Sequence, residues 1–305
     1  MGAEVINVVD KADDSLLVVR LWNRLPVVVR AVIVGELLVT IGGLPELLLF
    51  VNLKFLPAIP WSLATSALWL WLFWRYVNGW GWPRSTSQQR RRDVRANKLS
   101  WRVWRWSLLA GAMGMVSVIA LSFLTPRFTD IPRDAFKLPV DFTQYPPWTV
   151  LSILLAISAF AGVLEEVAFR GYMLSPIQRR HGWPVAILVT GMVFFLDHHF
   201  SHAYATFAFL PFFLAVSTLH GILVYTTLSI LPSIVLHTVA DFIVIPIQYG
   251  IIGSPPVSNV LNTGVDSSFF LCLGLFLGFG IACVPVFRHL ARVARAELTT
   301  ATPEQ

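Results

Sequence analysis

The stretch "WTVLSILLAISAFAGVLEEVAFRGYM", residues 148–173, decides the fold: it runs uncharged from Trp148 to Leu164 and then places Glu165, Glu166 and Arg170 within six residues. A spanning helix needs ~20 mostly apolar residues, and this stretch has that length. Outward from it the chain repeats the pattern, with apolar runs near 26–53, 58–77, 106–124, 184–202, 207–226, 230–248 and 268–288. Of the 305 residues, 56% are hydrophobic and 13% charged, and the mean hydropathy is +0.67, values that exclude an ordinary soluble domain. No run alternates with the ten-residue period of a membrane barrel, so helices are the spanning solution that satisfies the backbone in lipid. The expected fold is all-α, a polytopic transmembrane bundle of about eight spanning helices.

Basic residues in short loops set the orientation. Residues 75–105 carry Arg75, Arg84, Arg90, Arg91, Arg92, Arg95, Lys98, Arg102 and Arg105 against Asp93 alone. The next loop balances Arg127, Arg133 and Lys137 with Asp130, Asp134 and Asp141, and the pattern resumes with Arg179, Arg180 and the tail residues Arg288, Arg292 and Arg295. Both termini are therefore expected in the cytoplasm, and the formal charge of +6 is a topology signal. Trp80, Trp82, Trp101, Trp104 and Trp106 suit a headgroup belt. No nucleic-acid-binding motif accompanies the arginines, so membrane lipids are the expected partner of that surface. The N-terminus shows no cleavable signal pattern, and Ile6 fails the myristoylation signature. Residues 5–24 read as an amphipathic interfacial segment. Cys272 and Cys283 share the last apolar run and read as packing residues.

A charge in hydrocarbon costs about 2.5–3.5 kcal/mol even on lenient insertion scales, which makes every intramembrane ionisable residue a site candidate. These are Arg30, Glu36 and Glu46 in the first span, then Glu165, Glu166, Arg170, Asp197, His198, His199, His202, His220, His237 and Asp241. Glu166 with Arg170, and His237 with Asp241, stand at i and i+4 and can pair on one helix face. Glu165 is left without a local partner. At 1.5 Å per residue, Glu165 and His198 both lie ~20 Å from the turn at "QRRHGWP", whereas His237 rises only ~12–15 Å from its own turn, a mismatch that needs tilt or a broken helix. Ala156, Ser158, Ala159, Ala161 and Gly162 are small enough for helices to pack closely around a cavity. Glu36 and Glu46 are read as lining the bundle or bounding the span, and His220 as a hydrogen-bonded structural residue.

"EEVAFRG", "FFLDH" and "HTVAD" resemble, in order, the EExxxR, FxxxH and HxxxN/D signatures of the CAAX protease and bacteriocin-processing (Abi) family of intramembrane endopeptidases. The resemblance covers about residues 146–248. It divides the chain into 1–145, with the interfacial segment, three spans and the basic loop; 146–248, the catalytic helical core; and 249–305, the last span and tail. It implies that Glu165 and His198 activate a water against a peptide carbonyl, that Glu166 and Arg170 support them with Phe194, and that His237 with Asp241 serves the oxyanion. Asp241 stands where part of the family has Asn, and an ionised Asp donates no hydrogen bond, so its expected role is to orient His237 or to stay protonated. His199 also satisfies FxxxH through Phe195 and is the alternative to His198. The expected substrate is a membrane-associated or prenylated polypeptide, the location a bacterial plasma membrane, and the cavity is expected to open toward the cytoplasm.

Other readings of the same residues stay open. Glu165, His198, His237 and Asp241 suit a Zn²⁺ site, although HExxH is absent and the glutamate–histidine mechanism needs no metal. A proton or ion transporter would use buried acids and histidines too, but no inverted repeat supports it. A non-catalytic scaffold or immunity protein would keep the fold.

Overall fold

The computed structural model describes residue 17 and residues 19–136, 140–252 and 259–300. Most of the expected amphipathic segment 5–24 falls outside them; residues 19–24 are helical. Among the described residues there is no strand, and seven helices are long and apolar enough to cross a membrane. The protein is an integral multi-pass helical bundle. The chain order is α1 (Val27–Gly43), α2 (Leu47–Phe55), α3 (Trp61–Val77), α4 (Ser87–Val94), α5 (Trp101–Phe128), α6 (Pro147–Glu165), a π-helix (Glu166–Met173), α7 (Leu174–His181), α8 (Trp183–Ser201), α9 (Leu210–Thr227), α10 (Leu231–Gln248), α11 (Val260–Thr263) and α12 (Ser267–Thr300). The eighth expected span, 58–77, is realised as α3, a 17-residue helix shorter than the other seven.

The helix starts follow from proline and cap chemistry. Pro147, Pro184, Pro211 and Pro232 occupy first-turn positions of α6, α8, α9 and α10, where the missing N–H costs nothing. Ser100 caps α5 by accepting from the Val103 amide at 3.2 Å. Gly182, at φ +83°, permits the reversal between α7 and α8. α1 joins α2 through a single 3-10 turn, Leu44–Glu46, so the first span is one broken helix from Val27 to Phe55.

The centre of the bundle is the π-helix. Seven of its eight residues are buried, Glu166 and Arg170 completely. α1 packs against it so closely that a β-carbon at Gly35 would stand 2.6 Å from the Met173 Cε. α5 and α12 pair along their length, with the Ser117 hydroxyl donating to the Phe276 carbonyl at 2.7 Å and Arg127 bridging Asp266 at 3.0 Å. Cys272 and Cys283 on α12 are both free thiols.

The basic segment is folded rather than a loose charge run. Arg90 is buried and donates to the carbonyls of Pro83 (3.2 Å), Trp80 (3.1 Å) and Gly81 (3.2 Å), with its guanidinium 4.4 Å from the centre of the Tyr76 ring. Residues 93–97 then cross the end of the bundle. The Asp93 carbonyl accepts from Ser175 at 3.0 Å, the Arg95 carbonyl from the Ile230 amide at 3.0 Å, and the Asn97 carbonyl from Ser229 at 2.7 Å. Ser229 and Ile230, in the turn between α9 and α10, are completely buried beneath this segment. Leu228 of that turn stays exposed, and His237, for which a height mismatch is expected, reaches Glu165 at 3.6 Å.

Candidate active site

Three elements bring the ionisable residues together. The end of α6 and the π-helix carry Glu165, Glu166 and Arg170; α8 carries Phe194 and His198; α10 carries His237 and Asp241. Glu165, His198, His237 and Asp241 line one cavity of about 540 Å³.

His237 is its hub. Its Nδ1 lies 2.9 Å from Glu166 Oε1, and because a carboxylate accepts, Nδ1–H is the donor. Its Nε2 lies 3.6 Å from Glu165 Oε2 and 3.5 Å from Asp241 Oδ2. The sequence pairs His237 with Asp241; in the structure Glu166 makes the direct hydrogen bond, and Asp241 faces the other nitrogen. The sequence also reserves Glu166 for Arg170, but Glu166 Oε1 is shared: Arg170 Nη1 approaches it at 3.2 Å as an ion pair. The Arg170 guanidinium also lies 4.7 Å from the Phe194 ring centre, a cation–π contact inside the protein. Phe194 packs edge-on against Phe169 at 5.1 Å, tying the FxxxH helix to the π-helix.

His198 and His199 differ in what they face. His198 Nδ1–H donates to the Phe194 carbonyl at 2.9 Å, leaving Nε2 as the remaining ring nitrogen of a side chain that lines the cavity. The His199 Nδ1 instead bonds the Ala205 carbonyl at 2.7 Å, with its ring against Phe195 and Phe207, away from the cavity lining. His202 stands at the cavity rim, its ring 5.4 Å from that of His198.

Two residues set aside by the sequence take part. Glu46 lines the cavity. His220, expected to be hydrogen-bonded, is completely buried with no partner on either ring nitrogen; its Nδ1 lies 3.8 Å from Glu166 Oε1 and its ring 5.4 Å from His237. The expected metal set also differs from what converges: among the described residues, Glu166, His220 and His237 are the ones whose ligand atoms lie within 4.8 Å of one another. Their fit to a cation is poor, because the oxygen it would need already accepts from His237 and faces the Arg170 guanidinium. Glu36 and Asp197 meet at a separate hollow of about 350 Å³ with Phe200 and Ser201.

The cavity extends toward the end of the bundle opposite the basic segment. From Glu165, His220 and His237 near the middle of the bundle, the lining extends through Ile119 and Ser122 of α5, Ser201 of α8, Phe212 of α9 and Gln248 of α10 to Val140, Phe142 and Tyr204 of the connections at the end away from the basic segment.

Residues 147–243 match the family model described as type II CAAX prenyl endopeptidase, Rce1-like. The matched segment holds all the motif residues quoted above. No curated protein and no solved structure matches the chain.

Proposed function

We propose, from the Rce1-like CAAX protease segment at residues 147–243, that this membrane protein hydrolyses a peptide bond of a membrane-associated polypeptide by a glutamate–histidine mechanism. The observation that carries the reading is the convergence of Glu165, His198, His237 and Asp241, from three helices, on one cavity inside the membrane-spanning bundle.

In this reading each step falls to a named residue. A water between Glu165 and the His198 Nε2 is activated as Glu165 accepts its proton, and its oxygen bonds to the scissile carbonyl carbon. His237 stands beside Glu165 and, as an imidazolium, donates Nε2–H to the developing oxyanion while its Nδ1–H donates to Glu166. Collapse of the intermediate breaks the C–N bond, and the proton held by Glu165 passes to the leaving amine. Glu166 and Arg170, completely buried and mutually neutralising, fix this arrangement.

Comparison of the peptides that accumulate in cells lacking the protein with those in cells restored by the wild type or by Glu165→Ala identifies the substrate and tests the activity together. Accumulation in Glu165→Ala cells equal to that in the deletion is expected; turnover by a correctly inserted Glu165→Ala protein overturns the mechanism. The second reading is a zinc-dependent endopeptidase, for which the three converging residues, Glu166, His220 and His237, have their ligand atoms within 4.8 Å of one another but a Glu166 oxygen already engaged by His237 and Arg170. Loss of cleavage on chelation, restored by Zn²⁺, would replace the first reading with the second.

A further inference from the structure

We infer that the cavity takes its polypeptide from the face of the membrane opposite the basic segment, the extracytoplasmic face by the positive-inside rule. This rests on the peptidase reading and names its substrate class: exported or outer-leaflet-anchored polypeptides, not peptides delivered from the cytosol.

The cavity is open at one end and closed at the other. Its exposed lining residues, Thr40, Phe50, Ser201 and His202, come from the far ends of α1 and α8, from α2, and from the connection after α8. Beyond Glu165, toward the basic end, the chain continues into the π-helix, seven of whose eight residues are buried, and then the buried Leu174 and Ile177. Residues 93–97 lie across that end. A β-carbon at Gly171 would stand 3.3 Å from both the Val94 Cα and its carbonyl oxygen, so backbone meets backbone there with no room for a peptide. The same five residues are fastened on both sides, to α7 by the Arg179–Asp93 ion pair at 2.7 Å and to the α9–α10 turn by Asn97, which donates to the Leu228 carbonyl at 2.5 Å. Opening this end would require breaking those bonds together with the backbone bond from Ile230 to Arg95.

The charge rule fixes which end is which. Residues 75–105, Arg179, Arg180 and the basic tail residues all fall at the closed end, whereas the connection after α5 at the open end carries acids and bases in balance. A cytosolic peptide would thus meet the sealed face. The walls between mouth and site are mostly apolar, among them Leu49, Phe142, Phe212 and Val244, so the segment admitted is an extended one with apolar side chains beside the scissile bond.

The test combines labelling with vesicle orientation. In a Cys272→Ser/Cys283→Ser background, Thr143→Cys reports the mouth and Gln88→Cys the basic end; both positions are exposed. Spheroplasts treated with a membrane-impermeant sulfonated maleimide should label Thr143→Cys, and Gln88→Cys only after permeabilisation. The reverse pattern overturns the proposal. The peptide identified by accumulation, in membrane-impermeant form, should be cleaved by right-side-out vesicles and spared by sealed inverted ones until detergent is added; cleavage by sealed inverted vesicles also overturns it. Absence of cleavage in every arm, detergent included, refutes the peptidase reading alone, because the labelling pattern needs no turnover and still decides the sidedness.

Discussion

Gly162 lies one turn before the paired glutamates, and Gly162→Ala tests whether the spacing of α6 and α10 sets the activity. A methyl group there would stand 2.1 Å from the Thr238 hydroxyl, 2.9 Å from the Thr238 amide nitrogen and 3.1 Å from the Ile234 carbonyl. The hydroxyl can rotate away, but the two backbone atoms cannot. Restoring ordinary contact at the amide requires the helices to part by about 0.5 Å. Thr238 follows His237 directly, so the displacement widens the 3.6 Å gap between Glu165 and His237 and stretches the 2.9 Å bond from His237 to Glu166. A misplacement of 1 Å can cost about 100-fold in rate, so half that distance predicts a loss of roughly tenfold. Overpacking adds about 1–3 kcal/mol of destabilisation. Purified protein in detergent, assayed on the peptide found by accumulation, gives the rate, and thermal unfolding gives the stability. Gly274→Ala is the control, since a methyl group there meets nothing within 4 Å and both readouts should be unchanged. Wild-type turnover and unfolding temperature in Gly162→Ala would refute the argument that these two helices are in contact at a distance the site depends on.

Further outcomes follow from the other contacts. Arg170→Met leaves Glu166 buried without its cation and should destabilise the protein by about 3–5 kcal/mol; the double variant Glu166→Gln/Arg170→Met should recover part of this, and additive losses in thermal unfolding would contradict the pairing. His198→Ala should abolish cleavage, whereas His199→Ala, which loses a bond to the Ala205 carbonyl and ring contacts with Phe195 and Phe207 outside the cavity lining, should retain at least about a third of it, as read by initial rates. Asp266 is held down to about 2 by the Ser268 hydroxyl, the Phe269 amide and Arg127, below its ordinary 3.8. Its folded-state value is the lower one, so its contribution is present above about pH 3.8 and is lost as the pH falls toward 2. Unfolding temperatures across that window should therefore fall less steeply in Asp266→Asn than in the wild type.

Sequence alone makes the bundle legible because the membrane penalises charge so heavily that every buried acid, arginine and histidine stands out against long apolar runs. The motif residues Glu165, His198, His237 and Asp241 are legible for the same reason, and the structure brings them to one cavity. What is hidden depends on backbone atoms that have no side-chain signature. Residues 93–97 read as part of a topology signal, yet their carbonyls and a glycine contact close one end of the molecule. The mouth of the cavity is hidden with them. The π-helix at Glu166–Met173 arises where α1, α4, α8 and α9 all press on one short stretch, a tertiary cause that helical spacing cannot disclose. His220 is read as structural because a lone histidine in an apolar helix usually has a hydrogen-bond partner; burial beside Glu166 without one becomes visible only in three dimensions.

The doubled glutamate takes its meaning from one imidazole. Glu166 reaches Nδ1 of His237 and Glu165 approaches Nε2, so consecutive carboxylates address opposite sides of the same ring. A single glutamate could hold the ring or work on the water, but not both, because the oxygen that accepts from Nδ1 is also committed to Arg170. Their burial is unequal: Glu166 is completely enclosed, while the Glu165 side chain lines the cavity and keeps 16% exposure. On the proposed mechanism that residual access is where the attacking water enters, and the guanidinium beneath it makes a second carboxylate tolerable in the interior of the bundle.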